Sequence, residues 1–164
     1  MKKVLLVLVL VTCMAGFAFA DHPGSSWGIG AILSHHDLAT KGSGSDLGLS
    51  LIIPSSPIFW AIYTNGSLDY VTVTGDKLFV EGVVVSEINL HYYVGLGGFV
   101  SVWLDNFEYS SLGARVPIGL SWHALDFLEV FLGIVPTLGI QPGGEGDFFN
   151  FRWAPIEWGV RVWL

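Results

Sequence analysis

Four charged residues sit inside three apolar stretches of the second half of the chain: Arg115, Glu129, Glu157 and Arg161. Each has apolar neighbours on both sides, so an extended backbone would put the charges on one face and the aliphatics on the other. Asp76 and His91 occupy similar positions in earlier stretches and are candidates for the same set. Two chemistries fit. The charges can pair with one another in a narrow interior, because an isolated buried charge is very costly. They can also line a gated ion path. A barrel of eight strands is only wide enough for side chains to fill it, which favours pairing.

Other residue types invite other chemistries. His35-His36-Asp37 offers imidazole and carboxylate ligands to a metal. Adjacent side chains on a strand end point apart, however, and no further ligand cluster follows, so a solvated loop is the expectation and no metal site is assigned. Ser34 beside His35, or Ser101 with His91, would suit a lipid hydrolase only with a nucleophile, a base and an orienting acid converging. No compact motif supplies that set, so no catalytic residues, no cofactor and no enzyme are expected.

The elements that must position these residues are strands. In 156–164, Ile156, Trp158, Val160, Val162 and Leu164 alternate with Glu157, Gly159, Arg161 and Trp163. In 112–123, Leu112, Ala114, Val116, Ile118, Leu120 and Trp122 alternate with Gly113, Arg115, Pro117, Gly119, Ser121 and His123. In 128–138, Leu128, Val130, Leu132, Ile134, Pro136 and Leu138 alternate with Glu129, Phe131, Gly133, Val135 and Thr137. An apolar outer face with a polar inner one is the pattern of a strand in a membrane barrel. Pro117 and Pro136 cost ladder bonds and predict bulges or local breaks.

Earlier spans are expected at 27–34, 47–53, 58–64, 69–80 and 90–103. Pro54-Ser55-Ser56-Pro57 is a tight turn, Asn65-Gly66 signals a hairpin, and 124–127 is a short turn. Gly75-Asp76 can be read as a turn or as part of one bent strand. An even strand number favours the single strand, which gives eight spans. The longer loops are 35–46, 105–111 and 141–154. Trp27, Trp60, Trp103, Trp122, Trp153 and Trp158 lie near strand ends or loops, where amphipathic rings favour the headgroup level. The aromatic run 147–153 is either an outer contact surface or the top of the last strand with its rings in lipid.

Composition agrees. Hydrophobic residues are 52% of the chain and charged ones 13%, yet no segment after the leader is long and apolar enough for a spanning helix. Residues 1–20 read as a secretory signal peptide: Met1-Lys2-Lys3, an apolar run, then Ala18-Phe19-Ala20. Cys13 in a weak lipoprotein-like context is the rival reading. The expected mature domain, 21–164, keeps five basic residues against fourteen acidic ones, which speaks against nucleic acid.

Pro57-Ile58-Phe59-Trp60-Ala61-Ile62, Thr74-Gly75-Asp76, Leu112 to Leu120 and Asp126 to Leu132 resemble a family of small outer-membrane β-barrels of the spirochaete type. The architecture is similar to the eight-stranded transmembrane domain of OmpA-like proteins. Lys77, where an uncharged residue is usual, and Leu164, where an aromatic is usual, depart from the pattern. The resemblance implies an all-β, eight-stranded antiparallel transmembrane barrel in a bacterial outer membrane, and it implies no reaction. The expected partners are outer-membrane lipid, the barrel-assembly machinery and an extracellular ligand on the loops. A narrow pore, a lipid-modifying enzyme and a soluble lipocalin-like carrier are the alternatives.

Overall fold

The computed structural model describes residues 27–35, 44–54, 56–143, 148–152 and 155–164. The expected signal peptide, Cys13, His36, Asp37 and Trp153 lie outside them. Eleven strand segments form one sheet: β1 (Gly28–His35), β2 (Ser45–Ile52), β3 (Ile58–Thr64), β4 (Tyr70–Val85), β5 (Leu90–Trp103), β6 (Ser111–Arg115), β7 (Ile118–Leu125), β8 (Leu128–Ile134), β9 (Thr137–Ile140), β10 (Phe149–Arg152) and β11 (Ile156–Trp163). Every pairing is antiparallel, and β11 closes against β1.

These segments make eight spans, because β6–β7, β8–β9 and β10–β11 are single spans interrupted at proline. The register is unchanged across the first two, where Arg115 faces Thr137 and Ile118 faces Ile134; across the third it moves by one residue, from Arg152 opposite Thr137 to Ile156 opposite Ile134. Pro117 and Pro136 therefore break the ladder without inserting a residue, so neither position is a bulge. Each proline lacks an N–H but still accepts at its carbonyl: Gly95 N donates to Pro117 O, Val116 N to Pro136 O and Val135 N to Pro155 O, at 2.8–2.9 Å.

The fourth span is one strand, and it is longer than its sequence suggests. Gly75 and Asp76 pair regularly with Gly98 and Gly97, and the irregularities come later, between Leu78 and Val80 and between Val83 and Val85. Asn65-Gly66 opens a five-residue loop rather than a two-residue turn. Asp69 N donates to Asn65 Oδ1 at 2.9 Å, Asn65 Nδ2 donates to Asp69 Oδ2 at 2.7 Å, and Leu68 takes a left-handed φ of 60°. The expected loop 141–154 contains β10, whose Phe149 and Phe151 are exposed opposite Ile140 and Leu138. Those two rings extend the outer face of the last span.

Polarity is inverted relative to a water-soluble barrel. Leu47, Leu49, Ile62, Leu96, Leu120, Leu132, Leu138 and Trp158 are exposed, while Ser50, Asp76, Arg115, Glu129, Glu157 and Arg161 are buried. This is an eight-stranded antiparallel barrel with an apolar belt outside and a polar lumen inside, the arrangement of a transmembrane barrel. Lys77 points to the outer face, since Asp76 points in. It lies opposite Ile58, the first residue of β3, with its ammonium 5.6 Å from the Phe79 ring.

The belt carries a direct prediction. Leu132 is 53% exposed and sits opposite Leu120 and Trp158. Leu132→Arg should lower the folding free energy in lipid by about 2–4 kcal/mol, read from denaturant titration in vesicles. A change under about 0.5 kcal/mol would mean that this face does not meet hydrocarbon.

Candidate functional site

Inward residues of β4, β6, β8 and β11 meet in the lumen as two charge clusters. In the upper one, nearer the loop end, Arg115 Nη2 donates to Glu157 Oε2 at 2.6 Å, and Arg115 Nε lies 2.9 Å from Asp76 Oδ1. The second contact is an ion pair whose N–H is not aligned for a hydrogen bond, so neither atom is satisfied by it. All three residues are less than a tenth exposed.

Local structure explains the approach. Asp76, Gly97 and Arg115 lie opposite one another on β4, β5 and β6. Asp76 and Arg115 reach across the intervening strand because position 97 has no side chain. A Cβ there would collide with Asp76 Oδ1 and the Gly75 carbonyl.

The lower cluster lies near the end that holds both chain termini of the barrel. Arg161 Nη1 donates to Glu129 Oε2 at 2.6 Å, and Arg161 Nη2 donates to Ser50 Oγ at 2.9 Å. Glu129 also accepts from Ser121 Oγ at 2.8 Å and from Trp163 Nε1 at 2.9 Å. The guanidinium of Arg161 stacks 4.6 Å from the Phe131 ring and 5.3 Å from the Phe59 ring. Glu129 thus accepts three hydrogen bonds, and Arg161 is both paired and covered by aromatic faces. That is the satisfaction a buried ion pair requires.

Between and around the clusters is a cavity of about 310 Å³. Ile32, Ala61, Tyr63, Phe131 and Tyr93 form an apolar cluster along it. The Tyr93 ring lies over the wall at Gly119 and Gly133, where a Cβ would come within 2.5 and 2.8 Å of its hydroxyl.

Asp76, Arg115, Glu129, Glu157 and Arg161 are thus brought together. His91 is not. It lies opposite Ser121, several residues closer to the termini than Gly97, and its ring packs edge-on against His123 at 5.4 Å. Among the described residues it makes no ion pair.

Trp27, Trp122 and Trp158 are exposed on the outer face, and Trp60 is half-buried there beside Ile58 over Gly75. Trp103 differs from its expected place. It shares the inward parity of Ser101 and stacks with Tyr70 at 5.0 Å and Tyr109 at 5.9 Å at the loop rim.

His35 donates to or accepts from Ser45 Oγ at 2.9 Å, and no metal-ligand cluster exists among the described residues. Ser34 and His35 point to opposite faces. Ser101 and His91 stand ten positions apart on one strand, roughly 33 Å at 3.3 Å per residue.

Residues that pattern reading passed over are Ser50, Tyr63 and Tyr93. Parity with Arg161 places Trp163 on the inner face, and the structure adds its hydrogen bond to Glu129.

No family model matches the chain, and no curated protein matches it. Among solved structures, the chain is similar to Neisserial surface protein A (NspA), at 18% identity and a TM-score of 0.49 over 83% of this chain and 96% of that one.

Proposed function

We propose that the chain is a non-enzymatic integral barrel of a bacterial outer membrane, with a plugged lumen and a structural or surface-interaction role. The observation that carries this reading is the upper charge cluster, in which Arg115 bridges Asp76 and Glu157 inside the lumen of a barrel whose strand number leaves room for little beyond side chains. The inverted polarity supports lipid as the partner of the outer face. Delivery by the barrel-assembly machinery, an extracellular ligand on the loops, export by a cleaved signal peptide and kinship with the spirochaete-type, OmpA-like barrels belong to the same proposal. The separation of Ser101 from His91, and the opposed faces of Ser34 and His35, support a role without hydrolysis.

The test is conductance in planar bilayers. The intact barrel should give no discrete current steps in molar potassium chloride, while Arg115→Ala with Glu157→Ala should give brief ones. Steady steps from the unaltered protein would make it a narrow pore. A mass change in lipid A on expression would make it an enzyme.

A further inference from the structure

The upper cluster is incompletely neutralised. Two carboxylates, Asp76 and Glu157, share one guanidinium, Arg115, and all three are buried. Buried charges are ordinarily paired, because desolvation without compensation is expensive.

A second observation is independent of this charge count. Tyr63 lines the cavity and is 3% exposed, and among the described residues its hydroxyl has no hydrogen-bond partner. An orphaned buried hydroxyl beside an excess of negative charge is a place prepared for a donor. The remaining wall is aromatic, with Phe59, Tyr63, Tyr93 and Phe131, and ring faces attract cations. A volume of about 310 Å³ is at the lower end of small-molecule sites.

The lining also indicates the way in. His91, His123, Glu129 and Trp163 are each within a few residues of the strand ends at the termini side, and towards the loops the lining includes the Arg115 cluster and Tyr63. The cavity is a vestibule that a solute can approach from the side of the termini.

We infer that this vestibule binds a small organic cation, a protonated amine whose ammonium completes the Asp76–Arg115–Glu157 cluster and donates to Tyr63 while its apolar part lies against Tyr93 and Phe131. The inference rests on the lumen being closed at Arg115. Bilayer conductance reads that closure separately from any ligand.

The test uses the full barrel in a non-ionic detergent, with ring-labelled tyrosine followed by NMR. Butylammonium chloride should shift the Tyr63 and Tyr93 signals saturably, with half-saturation at least tenfold below that for potassium chloride. Butanol and sodium butyrate should give no saturable shift. Glu157→Gln should weaken butylammonium binding tenfold or more. Should that variant fail to fold, Tyr63→Phe should weaken it about threefold with the Tyr93 signal as reporter.

Equal shifts from butanol would show an apolar void, and equal affinity for potassium would show an inorganic-ion site. No shift from any probe would leave the charge balanced by a proton. Each of these results, like undiminished binding in Glu157→Gln, overturns the inference.

Discussion

Arg115→Leu is expected to lower the unfolding free energy of the barrel by about 3–5 kcal/mol, the usual cost of removing one partner from a buried ion pair. Among the described residues, the guanidinium is the ion-pair partner of both Asp76 and Glu157. Its loss leaves two carboxylates facing each other in a lumen walled by Tyr63, Tyr93 and Val135. The leucine itself is not the problem, since the lumen already accepts Ile32 and Phe131. Adding Asp76→Asn and Glu157→Gln to Arg115→Leu should therefore restore at least half of the loss, because amides tolerate burial better than unpaired carboxylates. Denaturant titration of the single and triple variants in vesicles reads both effects. A single variant within 1 kcal/mol of the parent would mean that the cluster contributes nothing by pairing.

Gly97→Ala is expected to cost about 3 kcal/mol, although it adds one methyl group at a strand position where alanine is ordinarily harmless. The added Cβ meets the Asp76 carboxylate and the backbone of Gly75 and Asp76. The neighbouring strand cannot retreat without breaking its ladder. Asp76 would have to turn away from Arg115, so the steric change becomes an electrostatic one. Gly66→Ala is the matching control: nothing lies within 4 Å of its added Cβ, and its effect should stay under about 0.5 kcal/mol. Equal melting temperatures for the two variants would contradict the close approach at position 97.

The parts of the fold legible in the sequence were those where alternation is uninterrupted. Around Arg115, Glu129, Glu157 and Arg161 every second residue is apolar, so parity alone assigns each side chain to lipid or lumen. Parity carries less information where both faces are aromatic. Tyr63 and Tyr93 point inward, yet rings suit a lipid-facing or interfacial position equally well. Trp103 was expected at the interface for that reason, and its inward stack with Tyr70 depends on a partner 33 positions away. His91 has the parity of the charge cluster but not its height, and height depends on how the registers of β5, β6 and β7 combine around the barrel. The β10 segment was hidden because Gly143 and Gly144, Gly146 and Asp147 precede it and Pro155 follows it, a composition that reads as loop.

The central claim is that the two faces of the sheet are reversed relative to a protein in water. Site-directed spin labelling tests it most directly, because Cys13 is the chain's one cysteine and a chain beginning after it offers no competing thiol. Labels placed singly at 128–134 in the barrel reconstituted into vesicles should alternate. Those at 128, 130, 132 and 134 should be relaxed by oxygen dissolved in the bilayer and shielded from a water-soluble nickel complex, and those at 129, 131 and 133 should be shielded from oxygen. If 132 and 134 prove open to the nickel complex while 131 and 133 respond to bilayer oxygen, hydrocarbon lies on the other face and the account fails.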